Sequence, residues 1–183
     1  MSWPRMGGVG TLSRIVRAVA AAAIIGVGAL GVAGCGFQPL YGPTASGQQL
    51  SDVMKSVEVT TIPGRAGQLI RNELIFRTTG GGYGEKPKYR LEIALKESVM
   101  RTLVNREGDP QGEIYQIYSS YKLIRLGDNQ VVQEGHSNAR AAYDRNDSIF
   151  SDIRASRDGQ ERAARTIAET IRTRIASYLA TNA

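Results

Sequence analysis

One thiol stands in the whole chain, at Cys35, directly after Val32-Ala33-Gly34. A thiolate is the strongest ordinary side-chain nucleophile, and small residues before it fit a peptidase that cuts on its N-terminal side. The pattern resembles a lipobox: diacylglycerol alkylates the thiol, cleavage follows Gly34, and the new amino group takes an N-acyl chain. An unmodified single cysteine would be an awkward free thiol in an exported protein. Acylation removes that difficulty.

Other chemistry is poorly supplied. His136 is the only histidine, so neither a Ser-His-Asp triad nor a two-histidine metal site can be assembled within one chain. Gly135-His136-Ser137-Asn138-Ala139 lacks the last glycine of a nucleophile elbow and lies between strands instead of at a strand-to-helix turn. Gly80-Gly81-Gly82-Tyr83-Gly84 follows a helical pattern without the Lys-Ser/Thr of a phosphate loop. Asp144 and Asp147 read as turn and cap residues. The expectation is a binding or assembly protein: not an enzyme, with no metal and no cofactor beyond the lipid on Cys35.

The segment around Cys35 agrees. Residues 1–17 carry Arg5, Arg14 and Arg17 without an acidic residue, and Ala18 to Gly34 is free of charge. A basic region followed by a short apolar run is a secretory signal. The run is shorter than the ~20 apolar residues of a spanning helix. Gly26, Gly28 and Gly31 weaken it further, each by roughly 1 kcal/mol of helix propensity. Three units are therefore expected: a signal peptide over 1–34, a lipidated tether over 35–51 and one domain over 52–183. Of 183 residues, 149 would remain after cleavage. Three arginines leave with the signal, so 23 basic residues become 20 against 17 acidic ones, a net charge of +3. That balance, without a basic-aromatic motif, excludes a nucleic-acid partner.

In the tether, Phe37, Leu40 and Tyr41 are unusual and suit a lipid interface, the domain or a partner. Val53–Ile62 alternates and is β-branched, which predicts a strand. Ala66, Leu69, Ile70 and Leu74 mark one helix face. Tyr89–Val104, Ile114–Leu126 and Gln130–Tyr143 predict three strands, separated by the turns Asn105–Gly112 and Gly127–Asn129. Asp147 or Ser148 would cap a last helix. Its apolar stripe is Ile149, Ile153, Ala164, Ile167, Ile171, Ile175 and Leu179, and Gly159 would break it. The fold class is α+β: a two-layer β-α-β-β-β-α sandwich, with a four-stranded, mostly antiparallel sheet and two helices on one face. Strands this long should outrun the helices or twist strongly.

Cys35-Gly36-Phe37-Gln38-Pro39-Leu40-Tyr41-Gly42, after a lipobox, resembles the start of the LPS-assembly lipoprotein (LptE) family. The element order agrees with that family's small two-layer fold. The resemblance implies an outer-membrane lipoprotein, lipid-anchored on the periplasmic side, which assists assembly of the LptD β-barrel, plugs it, and takes part in lipopolysaccharide transport. Gly36, in place of Asp, is similar to lipoproteins sorted to the outer membrane. No lipopolysaccharide site carries over residue by residue. On chemistry alone, phosphates of the glycolipid call for cations near apolar surface. Arg101, Arg106, Lys122 and Arg125, toward the ends of the long strands, are the candidates for a basic tip. The competing reading is a periplasmic binding or pilotin-type chaperone lipoprotein with no lipopolysaccharide role.

Overall fold

The computed structural model describes residues 44, 46–80, 86–104, 106, 110–145 and 148–182, all within one compact unit. Cys35, its lipobox and Phe37, Leu40 and Tyr41 lie outside the described residues. The elements run α1 (Leu50–Lys55), β1 (Val57–Val59), α2 (Gly64–Thr79), β2 (Tyr89–Val104), β3 (Pro110–Arg125), β4 (Gln130–Asp144) and α3 (Ile149–Asn182). The sheet order follows the chain, β1-β2-β3-β4. β1 is parallel to β2, and the other pairs are antiparallel. The α+β sandwich and its β-α-β-β-β-α order are as the sequence predicts, with one short helix added in front.

That addition corrects the expected strand over Val53–Ile62. Leu50, Val53 and Met54 sit at helical spacing and are all buried, so they form the first turn and a half. Only Val57-Glu58-Val59 keeps the inward-outward alternation of a strand. The packed domain therefore reaches back into the expected tether: Thr44 is buried as well, and its N–H donates to the Gln48 carbonyl.

β1, α2 and β2 make one parallel crossover unit. Pro63 and Gly64, the latter at φ 82°, turn the chain off the sheet edge into α2. Gly80 ends α2 in the left-handed conformation and donates to the Phe76 carbonyl. Such an end suits glycine, which has no Cβ to clash. A helix of 16 residues spans ~24 Å, about half of a 16-residue strand at ~3.3 Å per residue. The far half of β2 is left without α2 above it.

α3 is long enough to follow the whole sheet. It is unbroken across Gly159, contrary to expectation, because the missing side chain has a use. A Cβ there would stand 3.0 Å from Tyr143 Cδ1, so the glycine lets the helix seat on that ring. Alanines and isoleucines from Ala163 to Ala180 form the buried stripe. Ile149 and Ile153 do not join it; with Phe150 they are exposed on the first turn of α3. Asp147 is outside the described residues, and the Ser148 carbonyl accepts from Asp152 N–H.

Core residues come from one face of the sheet. Leu91 and Ile93 of β2, Tyr115, Ile117, Tyr121 and Leu123 of β3, and Ala139 and Ala141 of β4 are buried beneath the helices. All are odd-numbered, as period-two alternation requires. Their even-numbered neighbours form the second face, which no described helix covers.

Candidate binding site on the open sheet face

Register alone builds a trough on this face. Ala94, Ser120 and His136 are cross-strand neighbours and make a row of modest height. On one side lies the row Lys96, Tyr118, Asn138; on the other, Glu92, Lys122, Glu134. Taller rows flanking a low one leave two adjoining hollows of about 620 and 520 Å³, which share Ala94, Ser120 and His136.

Its charge is uneven. Lys122 lies between two carboxylates in its own row, so its charge is locally balanced. Lys96 has only Tyr118 and Asn138 in its row. The next row places Arg140 beside Gln116, a buried glutamine whose amide oxygen accepts from Arg140 Nε (2.9 Å) and from Tyr118 OH (2.6 Å). With the Gln116 amide so oriented, that network links a guanidinium and a phenol at the trough wall. The cationic part of the face is therefore the Lys96–Arg140 side, next to an aromatic ring. It can receive an anionic group attached to an apolar body.

The near-elbow of the sequence is not assembled at the trough. His136 faces it, whereas Ser137 is buried on the opposite face, so adjacent residues of the near-elbow point apart. Gly135 serves Tyr121: a Cβ there would be 2.8 Å from the Tyr121 hydroxyl. Among the described residues no group of three His, Cys, Asp or Glu is arranged for a metal.

Polar groups also gather on the helix side near the end of β2. Tyr143 OH donates to Glu113 Oε2 (2.5 Å), and Arg101 Nε and Arg145 lie 3.8 and 3.9 Å from the other carboxylate oxygen. Arg145 also meets Asp152 at 3.4 Å. Tyr115 OH donates to Glu97. Burial, reinforced by these carboxylates, pushes both phenols above the usual tyrosine range.

The four sequence-derived cations do not make one tip. Arg101 pairs in register with Glu113, and exposed Arg106 follows in the next turn. Lys122 is opposite Glu92, nine residues back along β2, or ~30 Å. Arg125 is farther still and binds Asp128 at the hairpin (3.2 Å). Antiparallel pairing sends the end of one strand to the start of the other, so residues from both strand ends fall at opposite poles. Lys96, Arg140, Tyr118 and Gln116 were not singled out by sequence. Their signal was the even-numbered alternation of three strands, readable only once the register was known.

No family model and no curated protein matches the chain. Solved structures do. A candidate lipoprotein of Caulobacter crescentus superposes with a TM-score of 0.59 at 24% identity, over 72% of this chain and 96% of that one. Rare lipoprotein B of Shewanella oneidensis gives 0.50 at 11% identity, over 66% and 92%. This chain therefore shares its fold with bacterial proteins described as lipoproteins.

Proposed function

We propose that the protein is an outer-membrane lipoprotein of the LPS-assembly (LptE) type. It is anchored through acylated Cys35 on the periplasmic side, plugs and assists assembly of an LptD-type β-barrel, and takes part in moving lipopolysaccharide to the surface. The observation that carries the reading is the join of two features in one chain. Cys35–Gly42 follows a lipobox, and the domain behind it is an elongate sheet with one face that no described helix covers, bearing cations beside an aromatic ring. A two-layer domain open on one side suits enclosure by a larger partner, and the trough suits an anionic amphiphile. Among the described residues no helix is long and apolar enough to cross a membrane.

The test is recovery and depletion. Tagged protein from detergent-solubilised outer membrane should retain a large β-barrel, and depletion should cause loss of surface lipopolysaccharide together with misassembled barrel. Absence of the barrel from the eluate, with surface lipopolysaccharide unchanged on depletion, would favour the stand-alone binding lipoprotein instead.

A further inference from the structure

The two edges of the sheet are treated differently. β4 is an edge strand with two of its carbonyls occupied: Arg162 donates to Ala142 O (2.9 Å) and Arg174 to His136 O. At the other edge β1 is three residues long and pairs only with Tyr89–Leu91 of β2. The last bond of that edge runs from Thr60 N–H to Leu91 O (3.1 Å). Leu91 thus directs its backbone groups outward. By the period of two, so do Ile93, Leu95, Glu97, Val99 and Arg101. Among the described residues nothing pairs with this edge beyond Leu91, and α2 is too short to shelter its far half. Side chains from Lys96 to Arg101 are all exposed, Val99 and Met100 by 54% and 56%.

An exposed row of unpaired backbone groups is a template for another strand. We infer that its occupant is the same edge of a second copy, with β2 antiparallel to β2 about a two-fold axis at Val99. The side chains select this register. Val99 meets Val99, Glu97 meets Arg101 twice, Ser98 meets Met100, and Lys96 meets Thr102. Val99 faces its own copy and no like charges oppose; acid faces base, with Glu97 also accepting from Tyr115 OH and Arg101 lying 3.8 Å from Glu113 within each chain. An isologous interface requires this self-complementarity. A two-fold axis at Glu97 would instead oppose Glu97 to its own copy. The paired segment starts at Leu95, beyond the residues that β1 occupies, so both sheets join into one without displacing β1. The inference goes beyond the proposed function and concerns the protein free of its barrel, because enclosure and edge pairing exclude one another.

The experiment is the detergent-corrected mass of the full chain, by light scattering after size exclusion, over a wide concentration range. The expected result is a mass of two chains that falls on dilution. Val99→Pro removes an outward N–H and spares the ladder to β3; it should give the mass of one chain with an unchanged circular dichroism spectrum. Should that variant not fold, charge reversal decides. Glu97→Arg or Arg101→Glu alone should weaken association by roughly tenfold, because two attractive cross-strand pairs become repulsive. The double exchange should restore it. A single-chain mass at every concentration overturns the inference, as does a dimer indifferent to these substitutions.

Discussion

Two tyrosine–carboxylate pairs tie β2, β3 and β4 together beneath the helices. In both, the neutral phenol is the donor that the carboxylate needs: Tyr115 for Glu97 and Tyr143 for Glu113. Their raised pKa values have a consequence with a definite sign. Above the ordinary tyrosine value near 10 the unfolded chain gives up these protons while the folded chain keeps them. The unfolded state is then favoured as pH rises. Stability should be unaffected by these groups below about pH 10 and decline above it. Urea unfolding at increasing alkaline pH checks this: Tyr115→Phe should flatten the decline, and an unchanged slope would refute the assignment. Gly135 offers a second residue-scale test. It looked like part of a failed nucleophile motif, yet the sheet uses its bare Cα to seat Tyr121. Gly135→Val should cost about 1–3 kcal/mol through overpacking, read as a lowered denaturation midpoint. A neutral result would mean that the ring has room to move.

At the scale of elements, legibility followed length. Tyr89–Val104 was predicted to its last residue, because Tyr89, Leu91, Ile93 and Leu95 set a strand by alternation and the turn residues from Asn105 end it. Leu50–Lys55 was missed, because six residues at helical spacing are too few to stand out beside a β-branched run. Gly159 misled for another reason: the cost of a mid-helix glycine is visible in sequence, but the ring that offsets it comes from another strand. The guarding of β4 was equally invisible, since the spacing of Arg162 and Arg174 along the helix says nothing of the strand carbonyls beside them. Their contacts with strand carbonyls predict a role in solubility. Arg162→Ala with Arg174→Ala should leave helix content intact but promote thioflavin-positive aggregation on mild heating, by unblocking the edge. Aggregation equal to wild type would show that the packed helix alone protects it.

For the whole molecule, the sheet's register decides where a ligand can bind, and that is what sequence could not supply. The candidate cations were chosen by position in the chain. Pairing across three strands then placed Arg101 and Arg106 at one pole, Lys122 and Arg125 toward the other, and Lys96 with Arg140 between them. Local balance separates them further, because Lys122 is flanked by Glu92 and Glu134 and Arg125 is engaged by Asp128. Lys96 and Arg140 face the trough without a carboxylate in their rows. If lipopolysaccharide binds the open face, its phosphates should be held there. Each charge-assisted contact contributes about 1.5–3 kcal/mol, so Lys96→Glu with Arg140→Glu should reduce retention on immobilised lipopolysaccharide at least tenfold. Arg125→Glu should leave it nearly unchanged, and raised salt should weaken the wild type toward the double variant. The opposite pattern, with binding lost on reversal of Arg101 and Arg106 and kept in the trough variant, would move the site to the pole of the sheet. The trough would then be a surface for the enclosing protein.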